Sequence, residues 1–133
     1  MTKNPYPTGT KRTNEAIYKT LKKAKFKIRQ KRYWTQDALA RDKRNNPVDP
    51  KSKIACKWCA MGAIHAITSN EELIRECEFY LRELVERDSG YMGINKDDAN
   101  YPTLSAFNYF NDDYAEYEDI IGVFDQAINE LEE

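Results

Sequence analysis

The chain has little of what usually marks a reaction centre or a membrane protein. Its 133 residues include one histidine, three cysteines, five glycines and five prolines. No window approaches the roughly 20 consecutive apolar residues of a membrane-spanning helix, so no membrane association of that kind is expected. The first residues carry no apolar stretch, and a cleavable secretory leader is not expected either. There is no Gly-rich phosphate loop, no internal repeat and no alternating run long enough for a sheet. An odd number of cysteines without framework spacing fits free thiols in a reducing cytoplasm.

What is present is one domain's worth of sequence with 12% aromatic content, which argues against disorder. The formal net charge of −1 hides a division. Residues 1–57 hold 17 Lys or Arg against 4 Asp or Glu, and residues 58–133 hold 4 against 18. A basic half can be a footprint for nucleic acid. The simpler reading docks the basic half on the acidic half, within one fold or between copies of the chain, because a compensating acidic half repels phosphate.

Residues 1–13, with Pro5, Pro7 and Gly9, read as a loose arm, and residues 14–133 as a single helical domain. Asn14 can cap a helix running to about Gln30, in which Ile17, Leu21, Ala24 and Ile28 form one buried stripe. Its opposite face carries Lys19, Lys22, Lys23 and Lys27. Asp42 to Pro50 reads as a loop. Ser69 and Glu72 have the spacing of a capping box, and the helix they open runs to about Arg87 with Leu73, Cys77, Tyr80, Leu81 and Leu84 inward. A long loop follows Gly90 and Gly93, then a helix from Thr103 to about Asn111. The last helix spans Tyr117 to Leu131, with Ile120, Phe124, Ala127 and Leu131 on its apolar face and Ile121 and Ile128 widening it. The expected class is all-α, with about five helices.

The segment of about 54–67 is apolar on nearly all sides and reads as a buried central helix. Cys59, Gly62, Ala63 and Ala66 would give it a small-residue ridge. It also holds Cys56 and the lone His65. In a continuous helix, six residues at ~100° each point Cys59 and His65 about 120° apart, which excludes a thiol–imidazole dyad between them. A zinc site from Cys56, Cys59 and His65 fails on the same geometry, so no metal and no cofactor are expected. A thioredoxin-like use of Cys56 and Cys59 lacks its βαβ context. Buried small thiols are the simplest reading.

Four pieces occur in order: Trp34-Thr-Gln-Asp-Ala-Leu-Ala-Arg-Asp42, Pro47-Val-Asp-Pro50, Trp58-Cys-Ala-Met-Gly-Ala-Ile64, and Phe110-Asn-Asp112 with Asp125-Gln-Ala-Ile128. Over roughly residues 14–130 they resemble a family of small uncharacterised proteins encoded by tailed phages and by bacteria, notably actinobacteria. That family's pattern is Trp-Thr-Gln-Gly-Ala…Ala-Arg, then Trp-Cys-x-x-Gly-Ala, then Trp-Asn-Asp. Asp37 stands where the pattern has Gly, and Phe110 where it has Trp. Cys59 maps onto the pattern's cysteine, whereas Cys56, Cys77 and His65 map onto nothing.

The matching residues are polar for a core signature. One account is structural: Arg41 pairs with Asp112 or Asp49, and Gln36 and Asn111 satisfy buried backbone groups. The other is a pocket in which Trp34 and Trp58 stack on a planar ligand and Gln36, Arg41 and Asn111 read its edges, beside Cys59 and Asp112. The resemblance brings no activity with it, so it implies a location and no reaction. The functional expectation is a phage- or prophage-type accessory protein, without a catalytic constellation. It would act in the cytoplasm by binding a host protein or a small nucleotide-like ligand, with inhibition of host defence as a context. Two alternatives stand beside it: a thiol-dependent enzyme using Cys59 with Asp112, and a nucleic-acid binder using Lys19, Lys22, Lys23, Lys27, Arg29, Lys31 and Arg32.

Overall fold

The stripe Ile17, Leu21, Ala24 and Ile28 is buried to 1% exposure or less, and burying it is what organises the domain. The structure, a computed structural model, describes residues 11–89, 107, 111, 112 and 115–132. Helix α1 spans Lys11–Lys27 and ends just before Ile28, whose side chain still completes the stripe. α2 spans Ala60–Ile67, α3 Glu71–Leu84 and α4 Tyr117–Leu131. A 3₁₀ turn follows α1 at Lys31–Tyr33, a π-helical turn extends α3 at Val85–Ser89, and Phe107 is helical as well. The fold is all-α apart from one short strand pair. The helix expected over 103–111 lies outside the described residues except at Phe107 and Asn111, as do the Gly90–Gly93 loop and residues 1–10 of the arm expected over 1–13. Lys11 to Thr13 already belong to α1, so Asn14 lies inside the helix and does not cap it.

α1 packs against α2, α3 and α4 alike and is the hub of the domain. α4 has the expected ends, and its stripe of Ile120, Phe124, Ala127 and Leu131 is buried against α1 and α3. α3 begins one residue later than the capping-box reading places it. Asn70, not Ser69, is the N-cap, its side chain accepting from the Leu73 N–H at 3.1 Å. An Asn side chain satisfies the open N–H of the first turn as well as Ser does. Part of the basic half does meet the acidic half within the fold: Lys25 of α1 pairs with Asp125 of α4, and Tyr18 donates to Glu132 at 3.0 Å.

The central segment departs from expectation. A helix over 54–67 is not formed; α2 starts only at Ala60, and residues 55–59 run extended. The cause is tertiary. Strand β1, Ala40–Arg41, pairs antiparallel with β2, Lys57–Trp58. The Cys56 N–H donates to Arg41 O at 2.9 Å and the Cys59 N–H to Leu39 O at 3.1 Å. These bonds draw the backbone out of the helix, and Ile54 is left 60% exposed. A two-residue strand is too short for alternation to reveal it in the sequence. Once α2 begins, five successive residues, Ala60 to Ile64, are buried, as an all-round apolar helix requires.

Candidate functional site

The sequence-nominated polar residues converge on Asn111, which is fully buried. Its Oδ1 accepts from Trp34 Nε1 at 2.8 Å and from the Ala60 N–H at 3.1 Å. Its Nδ2 donates to Thr35 O at 3.3 Å and to Asp112 Oδ1 at 2.9 Å. Gln36 Nε2 donates to Asn111 O at 2.8 Å, with Asp112 O and Ala115 O at 3.3 and 3.4 Å. The Asp37 N–H donates to Asp112 Oδ1 at 2.9 Å. The amide of Asn111 therefore uses both ends to tie three separate chain segments into a clasp, which leaves few buried groups unsatisfied.

Arg41 behaves differently from the expectation. Its guanidinium meets neither Asp112 nor Asp49; it donates to Thr35 Oγ1 at 3.0 Å, Asn45 O at 2.9 Å and Gln36 O at 3.1 Å. Carbonyls turned inward by the left-handed residues Asp37 (φ 66°) and Asn45 (φ 70°) offer it a fork of acceptors. The left-handed φ of Asp37 is one that glycine adopts freely and that Asp tolerates better than most side chains.

Cys59 is the N-cap of α2 and its Sγ accepts from the Gly62 N–H at 3.2 Å. It is 2% exposed, and burial pushes its thiol up to about 11. A protonated, enclosed thiol at neutral pH argues against the nucleophile reading. Cys77 is buried as well, and burial raises its thiol still further. His65 sits in the last turn of α2, about 9 Å along the axis from Cys59 at 1.5 Å per residue. Burial first, then the Lys51 ammonium, lowers its pKa, opposed by Asp49.

Trp34 and Trp58 do not flank one ligand slot. The Trp34 ring tilts against Tyr117 at 5.9 Å, and Tyr117 donates to Ile28 O at 2.6 Å. Trp58 instead donates to Pro50 O at 3.0 Å and turns its ring face to Lys27, whose Nζ lies 4.6 Å from the ring centroid. There it walls an open groove of about 680 Å³ between α1, the Arg29–Tyr33 turn and the extended Ala55–Trp58 segment.

This groove is where the molecule's charge and aromatic surface meet. Lys22, Lys23, Lys27 and Arg29 line it with Phe26, Tyr33 and Trp58, and among the described residues no carboxylate does. None of the four cations is ion-paired to a carboxylate among the described residues. Phe26 is 64% exposed, an unusual place for phenylalanine. The Arg29 guanidinium lies 4.1 Å from the Phe26 ring centroid and 5.0 Å from that of Tyr33. Of the seven cations nominated for nucleic acid, Lys22, Lys23, Lys27 and Arg29 line the groove; Lys19 pairs with Glu15, and Lys31 and Arg32 lie outside it. Of the nominated ligand residues only Trp58 lines it. Sequence reasoning missed Phe26 and Tyr33, although their interleaving with the basic run was a usable signal.

A second cleft, about 570 Å³, has mixed charge and includes Lys51, His65, Glu71, Arg75 and Glu78. Glu78 is 6% exposed and accepts from the Phe107 N–H at 3.2 Å. Burial raises its carboxyl to about 7, against the pull of Arg82 and of that hydrogen bond.

A family profile matches residues 12–130, a span that includes every residue of the clasp. The chain belongs to DUF6197, a family of unknown function. No curated protein and no solved structure matches it. Membership of DUF6197 covers the clasp and the groove together, so both belong to the family's matched region.

Proposed function

We propose that the protein is a binding module, not an enzyme, and that its ligand is of nucleotide type: a phosphate joined to a planar base. The observation that carries this is the coincidence, in one groove without a carboxylate among the described residues, of four cations with exposed Phe26 and half-buried Tyr33 and Trp58. Cations on one groove wall suit phosphate, and an aromatic face gives a base about 1–3 kcal/mol of stacking. The volume falls within the range of small-ligand sites, roughly 300–1,000 Å³. The clasp supports the site from behind. It anchors Thr35 and Ala60, which flank Tyr33 and Trp58, and so fixes the two aromatic walls relative to each other. A cytoplasmic, phage- or prophage-borne accessory role, with host-defence inhibition as its setting, accords with the motif resemblance and with small size; in that setting the protein acts by sequestering its ligand.

Titration of the full chain with ATP and with a single-stranded dodecamer in about 150 mM salt, followed by tryptophan fluorescence in a Trp34→Phe background that leaves Trp58 as the sole tryptophan, tests the reading. Binding of either, weakened at least tenfold in both Phe26→Ala and Lys27→Glu, is the expected result. No binding of either probe, or binding indifferent to both substitutions, overturns it.

A further inference from the structure

The groove does not stop at Trp58. A neighbouring groove of about 580 Å³ shares Lys27, Ala55, Trp58 and Ile67 as its wall and continues over Lys51, Ser52 and Lys53. We propose that the two form one track and that its ligand is a single-stranded oligonucleotide laid across Trp58, not a mononucleotide. This rests on the nucleotide reading above and extends it.

Three observations converge. The first is size: each groove alone has the volume of a small-ligand site, so a single nucleotide fills one and leaves the other empty. The second is sign. Among the described residues carboxylates line neither groove, whereas Lys22, Lys23, Lys27 and Arg29 lie on one side of Trp58 and Lys51 and Lys53 on the other. Beyond Lys51 the surface turns to Asp49 and Glu71, with Arg75 among them, which lowers the attraction for phosphate and ends the track. Charge distributed along a line, and bounded, matches a backbone with repeated phosphates. The third is the form of the aromatic surface. Phe26 keeps 64% of its surface exposed with Arg29 over its ring, and a ring of this kind stacks on an unpaired base, since a base within a duplex has no free face to offer in return. The strand is therefore unpaired.

Lys53 is the residue that separates the two readings. Lys51 donates to His65 O and Thr68 O at the end of α2 and spends part of its charge there. Lys53 is exposed, has no ion-pair partner among the described residues, and lines only the second groove.

Fluorescence anisotropy with labelled twelve-nucleotide strands, competed by ATP and by a tetranucleotide, tests the track on the intact chain. The dodecamer is expected to bind at least tenfold tighter than ATP. Lys53→Glu is expected to weaken the dodecamer at least fivefold and to leave ATP unchanged. The affinity should fall with salt at a slope of about −3 in log–log form if four phosphates are engaged, at −0.7 each. Deoxy and ribo strands run in parallel identify which sugar the track takes. Equal affinity for ATP and dodecamer, indifference to Lys53→Glu, or duplex binding as tight as the strand overturns the inference. In the first two cases the nucleotide reading survives if ATP still needs Phe26 and Lys27, and absence of all binding overturns both.

Discussion

Trp34 and Asn111 are 77 positions apart in the chain, and their polar atoms lie 2.8 Å apart. The same Asn111 oxygen receives the first N–H of α2, so one amide fixes the turn after α1, the start of α2 and the segment leading to α4. Truncating it orphans several buried groups at once. Asn111→Ala is expected to lower unfolding free energy by about 3 kcal/mol, since each buried group left unsatisfied costs about 1–3 kcal/mol. Urea titration of the variant beside the wild type gives the value; a loss below about 1 kcal/mol would contradict the clasp.

Gly62 is required by contact. A Cβ there would stand 1.7 Å from Leu39 O, the carbonyl that accepts from the Cys59 N–H. Backbone cannot swing aside as a side chain does. Gly62→Ala should therefore destabilise by about 3 kcal/mol or more, at the top of the range for overpacking. Gly122, in α4, has open space around its would-be Cβ and is the control: Gly122→Ala should stabilise by up to about 1 kcal/mol. Thermal melts of the two variants should move in opposite directions.

Asp37 holds φ at 66°. Replacement by glycine relieves that conformation and should be neutral or stabilising by up to about 1 kcal/mol. A β-branched residue cannot adopt it without strain, and Asp37→Val should cost about 1–3 kcal/mol. Equal melting temperatures for the two variants would refute the backbone argument.

The three thiols should separate by accessibility. Cys56, half-buried in the groove wall, is expected to react first with iodoacetamide. Cys59 and Cys77 are enclosed and protonated at neutral pH and should label only on unfolding. Mass spectrometry after a short pulse near pH 7.5 distinguishes one modification from three. Saturating ATP or oligonucleotide should slow the Cys56 reaction if the groove is occupied.

Glu78 gives a pH signature. Its folded pKa, about 7, lies above the 4.5 of an ordinary glutamate, so between those values the native state binds more protons than the unfolded one. The associated stability is complete below about pH 4.5 and is lost as pH rises through about 7. The loss is on the order of 1–3 kcal/mol. Glu78→Gln should flatten that part of the profile, which urea midpoints at pH 5 and pH 8 resolve. A variant with the wild-type slope would assign the dependence elsewhere.

α1 and α4 were legible because their stripes are local and keep a 3.6-residue period, so nothing distant was needed to find them. The start of α2 was not. Residues 54–67 are apolar without phase, and what stops the helix at Cys59 is pairing with residues 39–41, which a one-dimensional pattern does not contain. The clasp shows the same division. Gln36, Arg41, Asn111 and Asp112 were identifiable as a group, but Arg41's partners were misassigned, because charge suggests a carboxylate and only the turned backbone reveals the carbonyls. Phe26 escaped notice because it lies on the polar face of α1, where periodicity asks nothing of it. Its exposure becomes meaningful only when Trp58, 32 positions on, closes the groove.

The clasp also sets the order in which this molecule can acquire its shape during synthesis. The cations of the track all lie between Lys22 and Lys53, and the residues that lock its walls begin at Asn111. Through residue 57 the emerging chain carries 17 basic residues against 4 acidic, with affinity for any polyanion nearby and no geometry with which to choose among them. Discrimination arrives late, with the last fifth of the chain. Contacts this remote in sequence are also the slow ones to form.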